Sequence, residues 1–347
     1  MKALVVLGPG VLELKEVQRP YPNKGEVLVK VKACCVGAAD VRIYRADPVQ
    51  FGMISSYVPF ILGAEGAGEV EEVGEEVSNL KPGDKVVAEL TKSACEKCFF
   101  CRTGYHFLCS DARLMGRGSD GLFAEYFKTS AKFLHKIPTN VSFEEAAVTE
   151  DLAVVVNALT ENTIIQPGDF VVILGPGPIG LLSVQVAKAI GAGMVMIAGL
   201  KNDKPRLEMA HKIGADMSIN IDEEQIIERV KSLTRGRGAD VVIEASGSPY
   251  AVEQAIELVR KQGKIIAIGI TKDQNINVPW HKITLKSISI IGSLGHRWTS
   301  WEKALNFISM KKVNVLPLIT HKFSLEDWKQ AFESLERKEA IKPLIIP

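Results

Sequence analysis

The chain has 347 residues, 46% of them hydrophobic and 24% charged, and 42 basic against 41 acidic side chains leave a net charge of +1. That length exceeds what one hydrophobic core usually serves, so two domains are expected, and the balanced charge gives no electrostatic ground for a nucleic-acid or anionic-membrane partner. The longest apolar runs, such as Phe170–Leu174 and Ile265–Ile268, are strand-length and far short of a membrane span. The opening MKALVVLGPG is broken at Gly8 and Pro9 and reads as a first strand and turn, not a signal peptide. A cytoplasmic protein acting on a small molecule is the expectation. There is no internal repeat and no low-complexity segment.

The first third is rich in strand signals. Glu26–Ala33 alternates valine and leucine with polar residues, the period-two pattern of a half-buried strand. Gly66–Val73 and Lys85–Glu89 are similar, the latter after the turn Lys81–Asp84. Within this β-rich region lies CEKCFFCRTGYHFLC, which holds Cys95, Cys98, Cys101 and Cys109. Two-residue gaps let neighbouring thiolates turn toward one point, and the seven-residue gap brings back a fourth, the spacing of a closed tetrahedral zinc site. Cytosolic thiols stay reduced, against a disulfide cluster. An iron–sulfur run ends on a three-residue gap and a proline, whereas here Ser110 follows a gap of seven. Four cysteines leave no open position, so the zinc would be structural, anchoring a lobe over residues 93–111.

From about Val154 strands alternate with helices. Phe170–Leu174 precedes Ile179–Ile190, Met194–Ala198 precedes Pro205–Ile213, and Asp240–Glu244 precedes Ala251–Val259, with Lys264–Gly269 next. This predicts a parallel sheet with crossover helices. After Ile288–Ser293 the alternation stops, and Trp301–Met310 and Leu325–Leu335 read as helices. The fold class is α/β: a β-rich domain over residues 1–152 and 293–347, interrupted by a nucleotide-binding domain over 153–292.

Gly175–Gly180 is GPGPIG, a G-x-G-x-x-G placed after the strand FVVIL and before the helix LLSVQVAKAIGA. That context makes it a dinucleotide fingerprint. Gly175 permits the tight turn, Gly177 lets the backbone approach the pyrophosphate, and Gly180 allows close helix–sheet contact. The helix N-terminus offers its N–H groups to the phosphates. Pro178 and Ile179 of the same turn, with Gly269 and Ser293 at later strand ends, complete the coenzyme-binding candidates. An acid closing the second strand would mark NAD. That position is Gly199, followed by Lys201, Asn202, Lys204 and Arg206. The cations favour NADP over NAD, and a shifted register could return Asp203 to the ribose.

Together these pieces resemble the zinc-containing medium-chain alcohol dehydrogenases, close to the sorbitol-like and threonine dehydrogenase branches. The resemblance spans the cysteine lobe, Asp120–Tyr126, Ile164–Gly180, Asp240–Gly247 and Thr320–Phe332. It implies a GroES-like catalytic domain, a Rossmann NAD(P)-binding domain, a cleft between them, and a homodimer or homotetramer. The family holds a second, catalytic zinc with a cysteine, a histidine and a Cys or Glu. Its V-x-x-x-G-I-C-G-S-D segment corresponds to Val31–Asp40, where Gly37 replaces the cysteine, Ala39 replaces the serine and Asp40 remains. Its G-H-E motif corresponds to Gly63–Glu65, where Ala64 replaces the histidine. The third ligand would be Glu150. Two metal ligands are thus missing, along with the hydroxyl that relays the proton. Cys35 lies about 6.5–7 Å along an extended strand from Gly37, too far to substitute. A hard cation on Asp40, Glu65 and Glu150 is a further option.

Without that zinc, the expected catalytic residues are Glu150 and Glu65 as proton donors with raised pKa, and Arg42 or Tyr44 as electrophilic partners beside Asp40. The plainer expectation for Arg42 is a surface cation paired with Asp40. Trp280, His281, His296, Arg297 and Trp298 are candidates for the substrate entrance, though such aromatics more often pack or form interfaces. The expected activity is an NAD(P)(H)-dependent oxidoreductase of a small alcohol, polyol or ketone, with structural but no catalytic zinc. A catalytically silent dinucleotide-binding protein, serving as redox sensor or assembly partner, and a zinc-independent reductase of activated alkenes are the alternatives.

Overall fold

The strand Glu26–Cys35 is the spine of the β-rich part of the computed structural model, which describes residues 1–52 and 54–347. It alternates over Val29–Ala33, but Val27, Leu28 and Val29 at its start and Ala33, Cys34 and Cys35 at its end are buried on both faces. It pairs antiparallel with Glu65–Val73, Pro343–Ile346 and Tyr126–Ser130. The sheet runs Leu134–Lys136, Lys85–Ala88, Glu65–Val73, Glu26–Cys35, Pro343–Ile346 and His321–Ser324. Register matters for the site, because Cys35 pairs with Glu65 on one side and Leu344 on the other. The short helix Ala38–Tyr44 follows at once. Tyr44 packs edge-on against Trp328 and Phe332 at 5.3 and 5.8 Å. Its ring is a core contact.

The chain divides into two units, Met1–Glu150 with His296–Ser309 and Leu318–Pro347, and Asp151–Gly295 with Met310–Pro317. The segment Met310–Pro317 therefore departs from the uninterrupted return expected over 293–347. Gln185 holds it within the second unit, bonding Asn314 through both N–H and C=O at 2.7 and 3.0 Å. The second unit carries a six-stranded, wholly parallel sheet. Its order is Met217–Asn220, Met194–Gly199, Phe170–Leu174, Ala239–Glu244, Val259–Ala267 and Ser289–Gly292. Strand order reverses at Phe170–Leu174, the switch point where doubly wound sheets bind ligands. No helix among the described residues is long and apolar enough to cross a membrane.

Candidate active site and coenzyme site

The GPGPIG turn lies at that switch point. Gly175 has φ +105°, a conformation that side chains rarely tolerate. A Cβ on Gly177 would meet nothing within 4 Å, leaving open space before the N-terminus of the helix Pro178–Ala189. A Cβ on Gly180 would stand 1.9 Å from the Gly175 carbonyl oxygen, so the helix can approach only without one. An open approach, free N–H groups and a close helix are what a pyrophosphate needs, and these residues fit a bound dinucleotide. Beside the turn, Glu244 is buried and its Oε1 accepts from Ser246 N, Ser246 Oγ and Gly247 N at 2.6–2.9 Å. Gly269 backs this loop, since a Cβ there would press on Gly247 N and Glu244 Oε2. Ser293 Oγ accepts from Asn162 Nδ2 at 2.9 Å.

Gly199 closes the second strand as the sequence indicates. A Cβ there would lie 2.7 Å from Pro176 Cγ, so the fingerprint's own proline excludes a carboxylate at that position. Asp203 is turned back on its loop, its Oδ2 accepting from Leu200 N at 3.1 Å. Lys201, Asn202 and Lys204 are exposed, and Lys201 N donates to Asp222 Oδ2 at 2.7 Å. Arg206 is buried; desolvation pushes its guanidinium below the usual range, opposed by Asp203.

The four lobe cysteines are free thiols whose sulfurs all lie within 4.8 Å of one another. A tetrahedral ion with metal–sulfur bonds of about 2.3 Å sets its sulfurs about 3.8 Å apart, and Cys95 and Cys101 are separated by 3.9 Å. The donor set and spacing fit zinc. The segment is not plain loop: Phe99–Arg102 forms one helical turn, and the Cys98 sulfur caps it by accepting from Cys101 N at 3.5 Å. The amides of Lys97 and Cys98 pull the Cys95 thiol down to about 6, while burial and the neighbouring sulfurs push Cys101 up. Within the first unit, Tyr105 lies under the Arg297 guanidinium at 4.2 Å and Phe107 packs on His296.

Gly37 sits between the spine strand and the helix Ala38–Tyr44, with Asp40 Oδ2 accepting from its N–H at 2.8 Å. Asp40 is fully buried and pairs with Arg117 at 2.7 Å. Arg42 pairs instead with Asp47, through Nε at 3.1 Å and Nη2 at 3.3 Å, which corrects the expected Arg42–Asp40 pair. Glu65 opens its strand beside Cys35, and its Oε1 lies 2.9 Å from where a Gly37 Cβ would stand. Its Oε2 is 2.5 Å from Nζ of Lys342, a lysine 1% exposed. The register explains this pair, since Glu65 and Leu344 both flank Cys35. Sequence reasoning missed Lys342, because nothing local marks a buried lysine.

Glu150, on the helix Thr149–Val156, brings a carboxylate oxygen within 4.8 Å of one from Glu65. His296 Nε2 lies 3.9 Å from Glu150 Oε1. The His296 ring is buried, and its Nδ1 accepts from Trp301 Nε1 at 2.7 Å. Desolvation pushes its pKa down to about 4, with Glu89 raising it and His135 lowering it further. These residues do not fit the family's cysteine–histidine zinc site: Gly37 and Ala64 offer no donor atom, and Glu65 Oε1 crowds the position where a side chain at 37 would begin. Of the entrance candidates, His296 alone joins this group; Trp280 is 68% exposed, on the second unit's helix Trp280–Lys286.

A switch-point glycine turn on a parallel sheet, carried in one chain with an antiparallel β unit and a four-cysteine lobe, defines a pyridine-nucleotide oxidoreductase. Residues 23–139 match the alcohol dehydrogenase GroES-like domain, and residues 178–310 match the zinc-binding dehydrogenase domain. The chain belongs to the zinc-type medium-chain alcohol dehydrogenase family, as an NAD(P)-dependent oxidoreductase. It is 41% identical to a sorbitol dehydrogenase of Halalkalibacterium halodurans, covering 100% of this chain and 99% of that one. It is 36% identical to an L-threonine 3-dehydrogenase of Pyrococcus horikoshii, over 96% and 94%. A zinc-binding dehydrogenase of Sinorhizobium meliloti, solved bound to NADP, superposes with a TM-score of 0.92 at 26% identity, over 100% and 99%.

Proposed function

We propose that this protein interconverts a small polar ketone and its alcohol or polyol with NADP(H), holds one structural zinc on Cys95, Cys98, Cys101 and Cys109, and uses no catalytic metal. The observation that carries the reading is the Glu65 carboxylate packed against Gly37, beside Ala64, where the family's cysteine and histidine would stand. The polyol class rests on the similarity to a sorbitol dehydrogenase. NADP rests on Gly199, the inward turn of Asp203 and the exposed Lys201 and Lys204. A cytoplasmic site suits a four-cysteine zinc lobe, because thiols stay reduced there.

The reduced nicotinamide, when bound, supplies a hydride to the carbonyl carbon. The displaced electron pair of the C=O bond moves to oxygen, and Glu150 delivers the proton that completes the alcohol. Glu65 is committed to Lys342 and fixes the charge beside Glu150. Asp40, held by Arg117, keeps Gly37 and its helix in place. Arg42 is tied to Asp47 and takes no part. The apolar strand end Ser289–Gly292 lies at a sheet edge with Ile290 exposed, and Leu285 nearby in sequence is 77% exposed. Such an edge supports a homodimer or homotetramer.

Metal analysis together with turnover tests the reading. About one zinc per chain and NADPH oxidation by D-fructose or hydroxyacetone are expected. A second, removable zinc whose loss abolishes activity would overturn it.

A further inference from the structure

The indole N–H of Trp301 is donor-only. Because it donates to His296 Nδ1 at 2.7 Å, that nitrogen must present its lone pair. The proton of the neutral ring is then on Nε2. Among the described residues no acceptor lies within hydrogen-bond distance of Nε2, although the ring is buried. A buried N–H without an acceptor has given up water and gained nothing in return, so such a group is an exception that calls for a partner. The same tautomer excludes metal binding through Nε2, which would require a lone pair there.

From this geometry we infer that His296 is a catalytic residue, whose Nε2–H donates to the substrate's carbonyl oxygen while Glu150 exchanges a proton with that same oxygen. The separation of 3.9 Å between Nε2 and Glu150 Oε1 is too long for a hydrogen bond. It suits two groups that share a third atom, since an oxygen about 2.8 Å from each would subtend roughly 90° between them; Nε2 is closed off in this structure, so the side chains around it part to admit that oxygen. A neutral imidazole is the appropriate electrophile beside a proton-carrying carboxyl. It polarises the carbonyl without competing for the proton, as the neutral histidine of triosephosphate isomerase does. Burial, which pushes the ring's pKa down to about 4, keeps it neutral.

Three supports hold the ring. Trp301 fixes the tautomer, and stacks at 8° on His135, which bridges Glu89 and Glu302 at 3.0 and 2.6 Å. Phe107 of the cysteine lobe packs against the ring at 5.8 Å. Gly295, with φ +66°, turns the chain into the histidine just before the helix Trp298–Ser309. The oxygen recognised is that of a ketone or of the secondary alcohol it becomes, the group any substrate of this reaction must carry.

The inference rests on the oxidoreductase reading above, and the test separates the two. In the full chain labelled with 15N-histidine, His296 is expected to show its proton on Nε2; a proton on Nδ1 overturns the assignment. With NADPH and D-fructose or hydroxyacetone, His296→Phe is expected to lower kcat about 100-fold or more, the usual loss for such a donor, with NADPH affinity unchanged. His296→Gln, which returns an N–H near the Nε2 position, is expected to recover at least tenfold of that loss. It also serves if the Phe variant fails to fold. An active wild type with an equally active His296→Phe sinks this inference alone. A wild type that binds NADPH but reduces no ketone sinks the oxidoreductase reading and this inference with it.

Discussion

Glu65 Oε1 lies 2.9 Å from the position a Cβ on Gly37 would occupy. That distance is below ordinary contact, and the carboxylate cannot retreat freely because Lys342 holds its other oxygen at 2.5 Å. Gly37 has φ −97°, so a side chain there brings no backbone strain and the packing effect stands alone. Gly37→Ala is therefore expected to destabilise the protein by about 1–3 kcal/mol, as overpacking does, and to lower kcat by moving Glu65. Urea unfolding and steady-state rates check both. Unchanged stability would mean that Glu65 moves aside without cost.

Lys342 and Glu65 form a buried pair, with side chains 2% and 7% exposed. Breaking such a pair strands a buried charge and costs about 3–5 kcal/mol. Lys342→Met is expected to fall in that range by urea unfolding. Adding Glu65→Gln removes the stranded charge, so the double variant should be more stable than the sum of the two singles by at least about 1 kcal/mol. Strict additivity would show that the two side chains do not interact.

Much of this arrangement was legible in the sequence because it rests on local signals. GPGPIG between the five-residue apolar strand FVVIL and a long apolar helix announces its own turn, and the cysteine gaps announce a closed site. The period-two run at Glu26–Ala33 foretold the spine strand, though not the burial of its end, which comes from strands on both sides. The strand Met217–Asn220 was missed because MSIN is short and mixed. The helix Ile226–Leu233 was missed although Ile226 and Val230 carry an i, i+4 signal. Lys342 and Glu65 stand near opposite ends of the chain, and only the register around Cys35 brings them together. Trp301, five residues after His296, offered a cue, but which ring nitrogen it faces is a matter of geometry.

Gly177 and Gly180 separate coenzyme binding from folding. Gly177 has φ −73° and open space around its absent side chain, so Gly177→Val should fold at wild-type stability yet occupy the pyrophosphate's approach. NADPH affinity is expected to fall about tenfold or more, or about 1.4 kcal/mol, by fluorescence titration. Gly180→Ala sets a Cβ 1.9 Å from a backbone oxygen, which has nowhere to move. It should lower the thermal midpoint first. The reverse pattern would place the phosphates elsewhere.

Cys98→Ser tests the lobe. It removes one thiolate while leaving a hydroxyl that can still cap Cys101 N, so zinc should be lost from the purified protein without loss of the helical turn. The lobe supports Arg297 and His296 through Tyr105 and Phe107. Loosening it should therefore lower kcat, up to about 100-fold for a misplacement near 1 Å, and leave NADPH affinity close to wild type. Zinc content, kcat and coenzyme titration are read on one preparation. A variant that loses zinc but keeps full kcat would show that the lobe does not hold His296.

The protonation of His296 ties stability to pH with a definite sign. Its folded pKa of about 4 lies below the ordinary 6.5, chiefly through burial, with Glu89 raising it, His135 lowering it and Glu150 facing Nε2. Between those values the unfolded chain binds the extra proton and the folded chain does not, so stability rises with pH across the window. The contribution is fully present above about pH 6.5, declines as pH falls, and is gone near pH 4. A difference of about 2.5 pH units corresponds to roughly 3 kcal/mol. Urea unfolding at several pH values should show that slope in the wild type, and His296→Gln should flatten it by a comparable amount while leaving the carboxylate titrations at lower pH. Equal slopes in the two proteins would mean that the ring is already protonated in the folded state, and with it the neutral donor beside Glu150 would be lost.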